Sequence, residues 1–199
     1  MEIQLSKREL KRQETLNKLL KAMDDIIDKY DYDTLTIRNI CSVSGVSYGS
    51  FYNLFENKEK FLTYYLTHDF MSYKEDYYKN NKDFDSMNNI EKSVDIFVTC
   101  AKYNKMKGLK FVSGFYSPNN YDLSPVNMND HYFCFTPLVE EAKEYLGSTL
   151  VNASIDQIIT EFCFIFNGIT FNWCISKGEI DIVSEIRQRL TNYINLYIK

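Results

Sequence analysis

The sequence is poor in the residues that bend and staple chains. Three prolines and seven glycines in 199 residues disfavour a chain of many turns and short strands and favour long helices. Five cysteines sit scattered at 41, 100, 134, 163 and 174, odd in number and without a C-x-x-C pair. Neither a disulfide framework nor a zinc site is expected. The two histidines, His68 and His131, fall in helical or pre-helical context. No H-E-x-x-H, no phosphate-cradling glycine loop and no G-x-S-x-G elbow occurs, so no catalytic set can be assembled. Paired carboxylates such as Glu140–Glu141 read as solvated helix surface. The sequence thus asks for no enzyme, no metal and no cofactor. It also lacks an apolar run of about 18 residues and an apolar stretch within Met1–Leu20, so neither a membrane span nor a signal peptide is expected. Thiols lying in apolar stretches suit a reducing cytoplasm.

Aromatic residues, by contrast, are abundant, with 16 tyrosines and 14 phenylalanines. The net charge of −4 rules out a generic polyanion binder, so any nucleic-acid role must rest on local charge. That charge exists at one end. Residues 1–21 carry six basic side chains against three acidic ones, with Lys7, Arg8, Lys11 and Arg12 close together. Read alone, this run is an ordinary solvated helix start. Beside a nucleic-acid-binding motif it becomes a candidate for phosphate contact.

Such a motif lies at residues 36–55, TIRNICSVSGVSYGSFYNLF. Thr36 is placed to cap a helix, with Leu35 stapling onto Ile40. Ile37, Ile40 and Cys41 give that helix a buried face. Gly45 supplies a turn position that tolerates positive φ. Val46 and Ser47 then repeat the staple-and-cap signal ahead of Phe51. Two such starts about eleven residues apart specify two short helices meeting at an angle, a helix-turn-helix. The second helix opens with Tyr48, Gly49 and Ser50, followed by Tyr52: small or hydrogen-bonding side chains suited to a major groove.

These residues resemble the TetR family of transcriptional regulators. Its N-terminal pattern, T-x-x-x-I-A-x-x-A-G-V-S-x-G-x-x-Y-x-x-F-x-x-K-E, is met here by Thr36, Ile40, Gly45, Val46, Ser47, Gly49, Tyr52, Phe55, Lys58 and Glu59. Cys41 and Ser44 replace the usual alanines, both small. Asp31 stands where a glycine usually precedes Tyr32. The match covers roughly the first third of the chain. It implies DNA binding through Thr36, Arg38, Ser47, Tyr48, Gly49, Ser50, Tyr52 and Lys58, with Lys58 on a phosphate.

Helical periodicity carries through the rest. A first helix is predicted over Lys7–Tyr30, packing behind the helix-turn-helix through Leu16, Leu19, Leu20, Met23, Ile26, Ile27 and Tyr30. Asn57 is placed to cap a fourth helix, with Phe61 at its N4 position, fading near Lys79. Residues 80–89 form a polar break. Helices are expected over Ile90–Asn104 and Leu109–Tyr116, then a loop over Ser117–Asp130, then a helix His131–Leu146 capped by Asp130 and ended by Gly147. Asp156–Lys177 is apolar nearly all round, so it needs cover on more than one side. Gly178 stops it, and Asp181 is placed to cap a last helix striped with Ile182, Ile186, Leu190, Tyr193, Ile194 and Tyr197. No strand alternation competes. The fold class expected is all-α: a three-helix DNA-binding domain over 1–56 and a helical effector-binding and dimerisation domain over 57–199.

In the family this resembles, the last two helices pair with their copies in a second subunit, and the Gly168–Trp173 segment is similar to the penultimate helix. The resemblance also implies an effector pocket. Phe97, Phe115, Phe133, Phe164 and Phe171, with Phe111 and Tyr116, are candidates to line it, and Asn167 and Thr170 to orient a polar ligand atom. The bland alternative for each is plain core. The function expected is a dimeric cytoplasmic repressor, released from a pseudo-palindromic operator in double-stranded DNA by a small hydrophobic effector. The alternative is a dimer acting through a protein partner without such an effector.

Overall fold

A computed structural model describes residues 6–27, 29–115, 135–147 and 154–197. Among them every regular element is a helix and no strand occurs. In chain order these are α1 (Lys7–Ile26), α2 (Ile37–Ser44), α3 (Tyr48–Tyr52), α4 (Lys58–Asn80), α5 (Asp83–Ser86), α6 (Asn89–Lys107), α7 (Leu109–Phe115), α8 (Phe135–Leu146), α9 (Ile155–Ile175) and α10 (Ile182–Ile194). The chain divides into two compact units, Met1–Leu66 and Thr67–Lys199, and the division falls within α4.

The N-terminal unit is built on short polar signals at helix starts. Ser6 opens α1 in a capping box: the Glu9 N–H donates to Ser6 Oγ and the Ser6 N–H to Glu9 Oε2, at 3.3 and 2.8 Å. These bonds to the ionised form hold the Glu9 carboxyl below its ordinary range. Thr36 opens α2 the same way with Asn39. Each box satisfies two donors that a helix start otherwise leaves unpaired. Helix α1 stops at Ile26, four residues short of the predicted Tyr30. Beyond it the backbone turns, with the Lys29 and Tyr30 N–H groups both donating to the Ile26 carbonyl. The core under these helices is Leu19, Met23 and Ile26 of α1, Leu35, Ile40 of α2, Phe51 of α3, and Phe61 and Leu62 of α4, all essentially inaccessible. Phe51, Phe55 and Phe61 form a cluster with centroids 5.0–5.8 Å apart. Edge-on and tilted packing of this kind suits the ring quadrupoles.

The C-terminal unit is organised on α6. A capping box of Asn88 with Glu91 starts it, and from Ser93 to Ala101 it is buried without interruption. It packs against α7, α8 and α10, while α9 packs against α7, α8 and α10. Phe97 meets Phe162 and Phe166 of α9 at 5.5 and 6.0 Å. Ile182, Ile186, Leu190 and Ile194 form the buried stripe of α10. Among the described residues Asp95 of α6 is fully enclosed, and it forms a 2.7 Å ion pair with Arg187 of α10. The partner is required, because a lone carboxylate there would lose its solvation without return.

Several boundaries differ from the sequence reading. The polar break holds the single-turn helix α5, anchored by Phe84, which stacks on Tyr78 at 3.9 Å. Asp181 occupies the cap position of α10, but its side chain makes no cap bond and faces Lys105 at 3.4 Å instead. Helix α9 ends at Ile175. There the Gly178 N–H reaches back to the Trp173 carbonyl at 2.9 Å, with Lys177 and Gly178 both at positive φ. Trp173 is buried at this end, its Nε1 3.6 Å from where a Cβ on Gly178 would stand. The predicted Ser117–Asp130 loop, Tyr116, His131 and the Asp130 cap lie outside the described residues.

Candidate nucleic-acid interface

The turn between α2 and α3 has the geometry its sequence asks for. Gly45 closes α2 at φ 67°, a left-handed conformation that a side chain would strain. Ser47 then caps α3: the Ser50 N–H donates to Ser47 Oγ at 3.2 Å, and the two hydroxyls lie 2.9 Å apart. Phe51 is the inward anchor of this five-residue helix. With one face pinned, the other turns to solvent. Tyr48 and Tyr52 are 49% and 54% exposed, two rings on one short helix offered side by side to a partner surface. Gly49 between them has nothing within 4 Å of a virtual Cβ, so its backbone is open to close approach.

Next to this face runs an open groove of about 770 Å³ within the N-terminal unit. Its walls are the first turns of α1, with Ser6, Arg8, Glu9, Lys11, Arg12 and Thr15, and the end of α3, with Ser50, Asn53 and Leu54. Arg8, Lys11 and Arg12 are all exposed. Three cations and several hydroxyl and amide groups thus face one carboxylate, Glu9, already engaged at the Ser6 cap. This is a local positive site on a protein of net negative charge.

Of the residues singled out from sequence, Ser47, Tyr48, Gly49, Ser50 and Tyr52 come together on α3 and its cap. Thr36 and Arg38 are exposed at the start of α2. Lys58 is different. Its Nζ donates to the Tyr32 carbonyl at 3.1 Å and lies 4.4 Å from the Tyr32 ring centroid. Its side chain is only 18% exposed. Asn53 was missed by the sequence reading, although it stands one turn beyond Gly49 and so shares its helix face.

The candidate effector residues are not gathered in one place. Phe97 is core, between Phe162 and Phe166. The Asn167 amide donates to the Cys163 carbonyl at 2.8 Å and the Thr170 hydroxyl to the Phe166 carbonyl at 2.8 Å, local bonds one helical turn back. Phe164 and Phe171 do not face that core. They are 43% and 44% exposed on the outer side of α9, because a helix apolar all round must turn some aromatics outward once its inner face is filled. Phe111 is buried; the Phe115 side chain and Phe133 lie outside the described residues. Among the described residues no cluster of three or more His, Cys, Asp or Glu could hold a metal ion.

No family description and no curated protein matches this sequence. Solved structures do match. FadR of Thermus thermophilus, a TetR-family transcriptional repressor solved in complex with lauroyl-CoA, aligns with a TM-score of 0.68 at 17% identity, over 88% of this chain and 91% of its own. A putative TetR-family regulator from a Rhodococcus species aligns at 0.61 and 13% identity, over 94% and 100%. The dihydroxyacetone kinase operon activator DhaS aligns at 0.54 and 15% identity, over 93% and 98%. The chain has the all-helical fold of TetR-family transcriptional regulators, with an N-terminal helix-turn-helix and a helical C-terminal region.

Proposed function

We propose that this chain is a cytoplasmic, DNA-binding transcriptional regulator of the TetR family, acting as a homodimeric repressor. The observation that carries the reading is the exposed face of α3, Tyr48, Gly49 and Tyr52, bordered by the Arg8–Lys11–Arg12 groove. Two such faces, one per subunit, would occupy successive major grooves of a pseudo-palindromic operator. Tyr48, Gly49 and Ser50 approach base edges. Thr36, Arg38, Ser47 and Tyr52 bond phosphates, and the α1 cations follow the backbone. Fixed contacts of this sort set register, while base contacts carry the sequence information.

Pairing of two copies through α9 and α10 is supported by a stripe on the outer side of α9. Phe164, Gly168, Phe171 and Ile175 are all exposed and recur at spacings of four, three and four, one face of a helix. The small residue lets two backbones approach. By length and hydropathy α9 also meets the measure of a membrane crossing, but its inner face is the core of the C-terminal unit, and a second copy covers the rest. The effector is a small hydrophobic molecule held in the C-terminal unit. FadR, solved with lauroyl-CoA, supports a ligand with an apolar chain for this fold. Its binding would favour a subunit spacing that no longer fits both half-sites, and by linkage DNA would weaken effector binding by the same factor.

The test is fluorescence anisotropy with DNA from the region upstream of the chain's own gene, across a salt series with non-specific competitor. Competitor-resistant binding by a dimer is the expected result. Binding no better than to random DNA at every salt would overturn the operator reading and favour a regulator working through a protein partner.

A further inference from the structure

Lys58 stands where a cation is least welcome, at the first residue of the 23-residue helix α4, beside the positive end of the helix dipole. It has not turned out to water. Its ammonium donates to the Tyr32 carbonyl, lies over the Tyr32 ring, and has Glu59 Oε1 at 4.0 Å. A carbonyl oxygen, the negative face of an aromatic ring and a carboxylate together supply the electron-rich surroundings that the helix start denies it. The other half of the contact is equally committed. Tyr32 is 2% exposed in the connection between α1 and α2. Burial, with Glu59 and Asp33 nearby, pushes its hydroxyl well above the ordinary range, so it stays neutral. Three residues on, Leu35 is buried, and Thr36 caps α2. The contact therefore joins the start of α4 to the segment that sets where α2 begins.

On this geometry we infer that Lys58 is a positioning residue for DNA binding. It clasps Tyr32 and so fixes the α1–α2 connection and the start of α2, and it does not act as a phosphate ligand. The role rests on the DNA-binding reading above; the clasp itself does not. Phosphates fall to Arg8, Lys11, Arg12 and Arg38, whose side chains reach solvent.

The experiment combines salt-dependent DNA binding with unfolding. A random-sequence duplex and the upstream duplex are titrated with the parent, Lys58→Met, Lys58→Arg, Tyr32→Leu, the Lys58→Met/Tyr32→Leu pair and Arg12→Ala, well below the unfolding transition of each. Loss of one phosphate contact lowers the slope of log K against log salt by about 0.9. Arg12→Ala is expected to show that loss. Lys58→Met should weaken binding about tenfold with the parent's slope, since a desolvated cation–ring contact is of that order. Tyr32→Leu removes the ring but keeps the backbone carbonyl, so it should weaken binding by less, and the pair should lose no more than Lys58→Met alone. Lys58→Arg, whose guanidinium also stacks and donates, should restore affinity. A slope lowered by about 0.9 in Lys58→Met, with binding in Tyr32→Leu unchanged, overturns the inference. In urea the two substitutions should be non-additive in the unfolding constant by about threefold or more; additivity there overturns the clasp, and if Lys58→Met folds too poorly for the cycle, DNA affinity left unchanged in Tyr32→Leu overturns it instead. Failure of the parent to bind any duplex would overturn the DNA reading and the positioning role with it, while the urea cycle decides the clasp on its own.

Discussion

At the scale of single residues, the side chains that matter are those whose exposure departs from their chemistry. Tyr48 is a large ring left half in water at the start of α3. Tyr48→Ala is expected to relax sequence preference among operator variants while leaving affinity for random DNA nearly unchanged, measured by competition anisotropy. The reverse case is Cys163, buried on α9, whose thiol is pushed up to about 11 from 9.0 by desolvation, eased slightly by Lys143. The sign follows directly. Above pH 9 the unfolded chain releases a proton that the folded thiol keeps until about pH 11, so stability falls as pH rises through that window. Urea titrations at stepped pH should show the fall, up to about 3 kcal/mol from this thiol, and Cys163→Ala should reduce it, leaving the part contributed by Cys174, whose thiol is also pushed up to about 11 by burial. Nothing in the local sequence announces either the clasp of Lys58 or the depth of Cys163. The first joins residues 26 apart, and the second depends on which side of α9 faces inward.

At the scale of elements, caps and turns were the most legible part of the chain, because they are local. Thr36, Gly45, Ser47 and Asn57 each do in the structure what their spacing asks. Helix α5 was not legible, because one apolar residue, Phe84, in a polar stretch makes no period. The last turn of α1 was over-read, since Tyr30 fits the helical period yet lies past the point where the backbone turns. Asp181 shows that a capping residue type does not guarantee a cap once a lysine offers another partner. The two glycines of the helix-turn-helix make opposite predictions. Gly45→Ala should cost about 1 kcal/mol, as its φ of 67° disfavours any Cβ. Gly49→Ala meets nothing within 4 Å and should stabilise α3 by up to about 1 kcal/mol. If the α3 face lies against bases, the same methyl should cut operator affinity severalfold. A gain in melting temperature with a loss of DNA binding is the expected pair of readings; a gain in both would remove Gly49 from the interface.

At the scale of the molecule, the apolar periodicity of the C-terminal helices fixed that they pack, but not which aromatics end inside. The resemblance made Phe164 and Phe171 candidates to line a cavity, with plain core as the alternative; packing put them on the outer side of α9, where only a second copy or another surface could cover them. Phe171→Glu is therefore expected to yield a monomer in sedimentation velocity. Operator affinity should drop far more than affinity for a single half-site, since the second half-site no longer binds as part of one molecule. The tryptophan count has a consequence of a different kind. Trp173 is the sole tryptophan in the chain, sealed at the end of α9 in the C-terminal unit, and the N-terminal unit has none. Light absorbed at the red edge of the protein spectrum is thus re-emitted from one address. That emission follows the C-terminal unit alone, with circular dichroism following both, so the protein carries a built-in label that tells whether its two halves melt together or apart.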